Sequence, residues 1–224
     1  TAGQVWQVAE NWRYAPAIQR AAEHIRAGRI GRPMMFHWAI HAGLTPDRAY
    51  YHTPWRRDGS HPHGLMLDGG VHFIAGLRTV LGEIATIQAQ SAHLRDDLPP
   101  PDTLVATVRM ASGLVGTLAM TYAIGLPWTT ALTIAGDDGT LVVNRDALSL
   151  HHGDTVQDEL HAAGDGVAAE WDAFHKAIRS GQPKPAMLAS ALQDIAGVEA
   201  FIAAARTGQR THPQTIYTAD AHQT

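Results

Sequence analysis

Residues 103–122 read TLVATVRMASGLVGTLAMTY, and this stretch decides the fold of the chain. Two runs of β-branched and apolar residues, 103–110 and 114–122, flank Ser112-Gly113, a dipeptide typical of a hairpin turn. A parallel crossover needs about a dozen or more residues, so two strands with so short a connection must pair antiparallel. We therefore expect an antiparallel hairpin at the centre of the fold.

Strand patterns continue on both sides of this hairpin. Asp138-Gly139 is a second hairpin signal, and the connections beside it are short. The further predicted strands cover 4–9, 34–42, 84–93, 129–135, 140–143 and 147–150. In the second of these, Phe36, Trp38 and Ile40 share one side. The sequence thus predicts a large, mainly antiparallel sheet.

Apolar residues at helical spacing occur before, between and after the strand patterns. They predict helices over 15–27, 64–80, 167–179 and 188–205. In the third of these, Trp171, Phe174 and Ile178 form the apolar stripe. Helices combined with an antiparallel sheet give an α+β architecture, and here the helices suffice to cover one face of the sheet. The sequence shows no internal repeat.

Composition excludes several classes of function. The 17 basic residues are scattered among 21 acidic ones, giving a formal charge of -4, so no basic stripe can neutralise a run of phosphates. Nucleic acid is therefore not an expected partner. The absence of cysteine excludes disulfides, thiolate metal sites and cysteine nucleophiles, and it permits a reducing cytoplasm. No apolar run approaches the roughly 20 residues that span a bilayer. We expect a cytoplasmic domain that does not insert into membranes.

The chemistry is concentrated in the segment 64–72, which reads GLMLDGGVH. Asp68 and His72 stand four residues apart, which places them on one helix face with Cβ atoms about 6 Å apart. A histidine can remove a proton from a hydroxyl near neutral pH, and a carboxylate can bind the hydroxyl or make the imidazole more basic. The spacing alone favours a simple structural pair over a catalytic one, and both interpretations stay open at this point.

Two neighbouring features indicate a binding site around this segment. Gly69 and Gly70 each cost about 1 kcal/mol in a helix interior relative to alanine, which suggests that something packs or binds close to the backbone. The segment 43–63 has neither helical nor strand periodicity and is predicted to be a long loop, a feature that is often functional in compact domains. We expect this loop to contribute substrate contacts.

The segment 64–72 resembles a signature of the Gfo/Idh/MocA family of oxidoreductases, in which a glycine-flanked Leu-Asp-x-Gly-x-His begins a helix. The resemblance covers almost the whole chain. VAENWRYAP at 8–16 is similar to the segment that leads from the family's cofactor domain, and IRAGRIG at 25–31 is similar to the turn after its first helix. Trp55-Arg56, 136–141 and 170–174 also follow the family's order.

This resemblance implies the substrate-binding half of an NAD- or NADP-dependent dehydrogenase that oxidises a secondary hydroxyl, or reduces a ketone, of a sugar, polyol or dihydrodiol. The implied fold is a large antiparallel open sheet with helices on one face, like the C-terminal domain of glyceraldehyde-3-phosphate dehydrogenase. His72 would be the acid/base and Asp68 would bind a substrate hydroxyl, with the nicotinamide against their helix. Arg13 would lie near the cofactor or the substrate. The other residues expected to line the sugar pocket are Tyr14, His41, Trp55, Arg56 and Tyr122.

The cofactor would be bound mainly by a domain outside these residues. The chain contains neither a Gly-x-Gly-x-x-Gly after a strand nor the family's Glu-Lys-Pro, and its nearest string, QPKP at 182–185, does not match. The sequence therefore does not distinguish NAD from NADP. Because the chain starts at Thr1, we expect it to belong to a longer protein, with 1–14 crossing from the cofactor domain. Residues 1–224 would form the substrate-binding and oligomerisation domain, inactive alone.

Metal and hydrolase interpretations are weaker. The 14 histidines suggest a metal site, above all at His61-Pro62-His63, at His151-His152 and at the Asp68/His72 pair. However, the chain has no His-Glu-x-x-His and no thiol, so no native metal site is expected. The chain also lacks a Gly-x-Ser-x-Gly elbow, which argues against a serine hydrolase.

The main alternative is a ligand-binding or assembly domain that has lost the redox half. An assembly module does not need the combination found here, so its presence argues against this alternative: Asp68, His72, Arg13 and Trp55-Arg56. Family resemblance implies a homo-oligomer, built through the sheet face that the helices leave uncovered. The apolar Leu114, Leu118 and Met120 are compatible with that expectation.

Overall fold

The computed structural model describes residues 4–61, 63–125, 127–161, 166–181 and 185–216, with the backbone alone at 185–186. The strands are β1 (Pro33–His41), β2 (Ile84–Ala92), β3 (Thr103–Met110), β4 (Val115–Thr121), β5 (Thr129–Gly136), β6 (Thr140–Val143), β7 (Ala147–His152) and β8 (Thr155–Leu160). They form one eight-stranded sheet in the order β2-β3-β4-β1-β5-β6-β7-β8. This large open sheet confirms the predicted α+β fold class.

The strand pairing follows the predicted hairpins. β3 and β4 pair antiparallel with Ala106 opposite Leu118, as the stretch 103–122 indicates. Every neighbouring pair in the sheet is antiparallel except β1 and β4, which run parallel. β1 and β4 are far apart in sequence, so no short turn restricts their relative direction. The sheet is therefore mainly antiparallel, as expected.

The core lies between one face of the sheet and three of the helices. The helices are α1 (Pro16–Arg26), α2 (Gly64–Leu81), α3 (Val167–Ser180) and α4 (Pro185–Thr207), with short 3-10 helices at Asn11–Tyr14, Ala49–His52 and Pro54–Arg56. On β1, Phe36, Trp38 and Ile40 are buried on one side, as predicted. Ile74 and Leu77 of α2 are fully buried against this face. The opposite face of β1, β3 and β4 exposes Met35, Val105 and Val115. The expectation for Leu114, Leu118 and Met120 is wrong, because these residues are buried in the core and do not lie on the uncovered face.

Two strand predictions are wrong. Residues 4–9 form no strand in the structure, although their composition favours one. A strand forms only where a neighbour accepts its backbone hydrogen bonds, and no strand of the sheet pairs with this segment. Conversely, β8 was not predicted, because Thr155–Leu160 is mostly exposed and polar and lacks an alternating pattern. Its pairing with β7 creates this edge strand.

The apolar stripe predicted on α3 is also wrong. Trp171 and Ile178 are 65% and 49% exposed, whereas Glu170 and Ala177 are buried. The physical reason is how α3 begins: Gly166 has φ +88°, and a side chain there would overlap the backbone of Asn11 and Tyr14. This close approach turns the Glu170 side of α3 towards the N-terminal segment.

Helix α4 corrects the expectation that no apolar run is long enough to span a membrane. By length and composition alone, Met187–Thr207 is long and apolar enough to do so. In the structure, however, α4 packs against α2 and β2, and Phe201 and Ala204 are buried there. It also carries Asp194, which is fully buried and paired with two arginines. These are the features of a core helix in a folded domain.

Candidate active site

A cavity of about 470 Å³ opens beside the N-terminal half of α2. This volume lies within the ordinary range of small-molecule pockets. Aromatic side chains dominate its wall, with a small number of polar groups between them. The aromatic lining is Trp12, Trp38, Tyr50, Phe73, Tyr122 and Trp128, and the polar lining is Asn11, His72, Thr130, Asn144 and Arg145.

His72 is bonded to a carboxylate from a distant part of the chain. Its Nδ1 lies 2.9 Å and 3.0 Å from the two carboxylate oxygens of Glu10. The Glu10 side chain is only 6% exposed, whereas 36% of the His72 side chain is exposed. The backbone N–H of Trp12 also donates to Glu10 Oε1, at 3.1 Å. The carboxylate is thus buried and held, while the imidazole reaches the cavity.

The N-terminal segment and α3 together position Glu10. Glu10 caps the 3-10 helix Asn11–Tyr14, and its backbone N–H donates to a carboxylate oxygen of Glu170. Glu170 lies in the first turn of α3, where the helix dipole favours a negative charge. The close approach at Gly166 brings this turn to the N-terminal segment. Two buried carboxylates therefore lie behind His72.

These carboxylates change the acidity of His72. Burial lowers the pKa of the His72 imidazole. The hydrogen bond and the charge of Glu10, with smaller contributions from Asp68 and Glu170, together raise this pKa by more than burial lowers it. The net effect is a pKa above its ordinary value. A histidine can exchange a proton with a bound hydroxyl near neutral pH, and these carboxylates stabilise its protonated form.

Asp68 pairs with Arg56 rather than with His72. Arg56 Nε and Nη2 lie 2.9 Å and 3.2 Å from the two Asp68 oxygens, a bidentate ion pair. The guanidinium carbon lies 4.1 Å from the ring centroid of Trp55 and 4.9 Å from that of Tyr50. Arg56 is therefore held on two aromatic rings, and Asp68 keeps 37% of its side chain exposed beside the cavity.

Gly69 accommodates the ring of Tyr122. A Cβ at position 69 would overlap the Tyr122 hydroxyl and lie 3.0 Å from Cζ. The Tyr122 hydroxyl is buried and has no hydrogen-bond partner among the described residues. Burial, and then the charge of Asp68, raise the pKa of Tyr122, so the hydroxyl stays protonated. The prediction that something packs close to this backbone is confirmed for Gly69, whereas Gly70 makes only ordinary contacts.

An aromatic cluster around Trp12 shapes the rest of the wall. The Trp12 ring stacks almost parallel to His72, with centroids 6.4 Å apart and an interplanar angle of 17°. It meets Phe73 and Trp128 edge to face at 5.1 Å and 5.9 Å. The guanidinium carbon of Arg145 lies over the ring of Trp128, 5.0 Å from its centroid. Such rings suit the apolar C–H faces of a small ring or chain ligand.

Of the residues predicted for the site, His72 and Tyr122 line the cavity. Asp68 and Arg56 form the adjacent ion pair, and Trp55 supports Arg56. The long loop 43–63 adds Tyr50 to the lining. Within this loop, Pro62 is not among the described residues. The roles assigned to these side chains stay predictions.

The other three predicted residues lie elsewhere. Arg13 pairs with the buried Asp194 of α4, in the interior. The Tyr14 hydroxyl lies 3.7 Å from the sulfur of Met187, and His41 Nδ1 lies 3.2 Å from the Thr129 hydroxyl, where His41 is exposed. None of the three belongs to the cavity lining. The structure therefore does not place these three side chains in the cavity wall.

Sequence reasoning missed Glu10, Trp12, Trp128 and Glu170 as parts of this site. Glu10 and Trp12 stand in the stretch 8–16 that carries the family resemblance, so their region was found but not their role. The contact of Glu10 with His72 joins residues 62 positions apart. No local spacing rule predicts such a contact.

Among the residues that the structure describes, no three histidine, aspartate or glutamate side chains converge in a way that could hold a metal ion. His63, one of the histidines that suggested such a site, lies at the start of α2 with φ 61°. His152 Nδ1 is hydrogen-bonded to the backbone oxygen of Asp138 at 2.6 Å.

Comparison with known proteins identifies the family. The model of the GFO/IDH/MocA C-terminal domain matches residues 18–142, more than half of the chain. The chain belongs to the GFO/IDH/MocA family. This match spans β1 to β6 and includes Asp68, His72 and Tyr122. It confirms the family that the sequence resembles.

The chain is similar to a dehydrogenase and to an oxidoreductase of solved structure. The dehydrogenase FPY6 of Fusarium mangiferae is 27% identical over 212 residues, which cover 90% of this chain and 60% of that protein. An oxidoreductase of Thermotoga maritima superimposes with a TM-score of 0.82 at 29% identity, over 92% of this chain and 61% of its own. The chain thus spans about three fifths of the length of these relatives.

Levoglucosan dehydrogenase, in complex with NADH and levoglucosan, has the same fold. It superimposes with a TM-score of 0.80 at 23% identity, and the match covers 96% of this chain and 68% of that one. At this identity the likeness concerns the fold alone. The helix-covered open sheet described above is therefore that of the C-terminal domain of this family.

Proposed function

We propose that the chain is the substrate-binding and catalytic half of an NAD(P)-dependent dehydrogenase that acts on a secondary hydroxyl, or the matching ketone, of a sugar, polyol or dihydrodiol. The observation that carries this proposal is His72, whose imidazole is buried against Glu10 on one side and reaches the cavity on the other. Removing or returning the hydroxyl proton is the task of the protein in such a reaction.

The cavity suits a small polyhydroxylated molecule. Its volume of about 470 Å³ is sufficient for a monosaccharide-sized ligand. The rings of Trp12 and Trp128 offer flat apolar surfaces to C–H groups, while Asn11, Asn144 and Thr130 offer hydrogen bonds to hydroxyls. The shared fold with levoglucosan dehydrogenase, whose structure holds levoglucosan, agrees with this class of substrate.

Asp68 fits a substrate-binding role better than a proton-transfer role. Arg56 holds both of its oxygens in a bidentate pair. A carboxylate side chain that is 37% exposed can still accept a hydrogen bond from a substrate hydroxyl. We therefore assign proton exchange to His72 and hydroxyl binding to Asp68.

A nicotinamide cofactor, when bound, accepts the hydride from the carbinol carbon. The chain has no glycine-rich dinucleotide motif, so the proposal includes a separate nucleotide-binding domain in the same protein. On this chain, the groups beside His72 that would meet the nicotinamide ring are the aromatic and apolar side chains of the cavity wall. Solved structures with the same fold hold NADH or NAD+, which supports this cofactor class.

The open face of the sheet is proposed to join two or more copies of the protein. Met35 and Val115 are 57% and 42% exposed and stand opposite each other on β1 and β4. Val105 of β3 adds to this apolar surface, at 51% exposure. A surface of this kind is typical of a protein interface. A cytoplasmic location stays a prediction.

The decisive experiment replaces His72 in the full-length protein. His72→Ala is expected to reduce kcat/KM for polyol oxidation by about 10²- to 10⁴-fold, because the hydroxyl proton loses its acceptor. Initial rates with NAD and with NADP, over a panel of sugars and polyols, would measure this loss. His24→Ala, which removes a histidine that pairs with Glu159 outside the cavity, provides the control.

Two outcomes would contradict the proposal. A rate within a few-fold of wild type in His72→Ala would leave His72 a structural residue. Binding of a sugar to the cavity without turnover in the presence of either nicotinamide cofactor would favour a ligand-binding domain that has lost the redox half.

A further inference from the structure

The two nitrogens of His72 have different surroundings. Nδ1 contacts both oxygens of Glu10, at 2.9 Å and 3.0 Å. Nε2 lies on the opposite side of the imidazole ring and has no hydrogen-bond partner among the described residues. The ring also stacks on Trp12 at an interplanar angle of 17°, which restricts its rotation. The ring is therefore fixed in plane and direction, with one nitrogen left for a ligand.

We propose that Glu10 is the positioning residue that keeps the His72 proton on Nδ1, so that Nε2 is the atom that exchanges a proton with the substrate. A carboxylate can only accept a hydrogen bond, so the nitrogen that faces it must carry the hydrogen. In the neutral imidazole this leaves the lone pair on Nε2. This inference rests on the proposed dehydrogenase function and specifies how its acid/base works.

The proton balance of the reaction follows from this arrangement. During oxidation, the O–H bond of the substrate breaks and its proton moves to Nε2, while the C–H electron pair leaves as hydride to the nicotinamide. The C–O bond becomes a carbonyl, and His72 becomes a cation that Glu10 stabilises through Nδ1–H. Reduction of a ketone reverses each of these changes. Glu10 itself contacts no reacting atom.

The other carboxylates near His72 cannot replace Glu10 in this role. Asp68, on the same helix, is paired through both oxygens with Arg56. Glu170, on α3, accepts the backbone N–H of Glu10 and so helps to orient it. These three carboxylates are the charged groups that raise the pKa of His72, and Glu10 contributes most of the increase. Of these three carboxylates, Glu10 is the one that is hydrogen-bonded to the imidazole ring.

Glu10 is also better placed than a surface partner would be. Its side chain is 6% exposed and is fixed by the backbone N–H of Trp12 at 3.1 Å. A carboxylate that is buried and held pays little entropy when it orients the imidazole. An exposed pair such as Arg20 and Glu23, in which both side chains are more than 40% exposed, has no such constraint.

The test measures the protonation state of His72 directly by NMR, in the full-length protein labelled with ¹⁵N-histidine. In the wild type, we expect the neutral form to carry its hydrogen on Nδ1. In Glu10→Gln, whose amide oxygen can still accept from Nδ1, the pKa of His72 is expected to fall by about 1 to 3 pH units, because the negative charge is gone. Glu159→Gln, which alters the His24 pair instead, should leave His72 unchanged.

Kinetics of the same variants add a second readout. In wild type the rate of oxidation should rise with pH through the His72 pKa, and in Glu10→Gln this rise should move to lower pH. Glu10→Ala should lower kcat by about 10- to 100-fold with little change in KM, and Glu10→Gln should retain more activity, because it still orients the ring.

The outcomes separate this inference from the proposed function. A neutral wild-type His72 that carries its hydrogen on Nε2 overturns the inference without any variant. An unchanged His72 pKa in folded Glu10→Gln overturns it as well. The expected NMR result in a protein without dehydrogenase activity would support the Glu10 contact and refute the proposed function.

Discussion

Two charged centres lie along α2, and they differ in how much of their charged side chains is buried and paired within the protein. At the cavity, Glu10 pairs with His72, whose side chain is 36% exposed, and Arg56 pairs with Asp68, which is 37% exposed. In the interior, Asp194 is fully buried and is bonded to both Arg13 and Arg78. The first centre retains atoms that can meet a ligand, whereas the second uses its charges to join elements of the fold.

The difference follows from the faces of a single helix. Asp68 and His72 are one turn apart on α2 and share its cavity side, whereas Arg78 stands six residues beyond His72 and so on another side. Arg78 reaches α4, where it also donates to the backbone oxygen of Ser190 at 2.9 Å. Arg13 reaches the same carboxylate from the segment that carries Glu10. Asp194 thus fixes the segment on which Glu10 depends.

The largest expected effect comes from breaking the interior centre. Asp194→Ala should reduce the free energy of unfolding by about 3 to 5 kcal/mol, because Arg13 and Arg78 lose the buried carboxylate that they share, and Arg78 keeps only Glu83 as an acidic partner. Urea denaturation followed by circular dichroism would measure the change. Asp68→Ala, at the cavity centre, is the matched control and should cost less, because Arg56 can turn to solvent. Equal losses at the two sites would contradict the contrast between them.

A smaller effect is expected at Gly69, the glycine at which α2 contacts the ring of Tyr122. Gly69→Ala should reduce the free energy of unfolding by about 1 to 3 kcal/mol, because the new methyl group overlaps the Tyr122 ring end. The same substitution in a Tyr122→Phe background should cost less, since the overlapping oxygen is absent. Thermal denaturation of all four proteins gives the coupling. Additive losses would show that the two residues do not compete for this space.

The smallest effect is expected at the exposed stripe of α3. Trp171→Ser should change the free energy of unfolding by no more than about 0.5 kcal/mol, because Trp171 is 65% exposed. Phe201→Ser, at a fully buried position of α4, is the contrasting variant and should be strongly destabilising. Chemical denaturation of the full-length protein compares them. A large loss in Trp171→Ser would mean that this surface is covered in the intact protein.

Much of the fold could be predicted because it depends on local patterns. The alternation of Phe36, Trp38 and Ile40 correctly gave the buried face of β1, and Ser112-Gly113 correctly gave the β3–β4 hairpin. These patterns encode direction and burial within a few residues. Local patterns failed where a neighbouring strand determines whether a strand forms. Residues 4–9 have strand composition but no neighbouring strand, and β8 has a neighbouring strand but no strand pattern.

The site divides in the same way. The sequence by itself determined the family, the α+β class and the placement of Asp68 and His72 on one helix, since four-residue spacing is a local property. Only the tertiary structure decided which groups bond to them: Arg56 for Asp68 and Glu10 for His72. The tertiary structure also shows that Arg13, which was expected at the site, pairs with Asp194. Hydrogen bonds and ion pairs act over a few ångströms, so the folded chain alone determines which distant side chains meet.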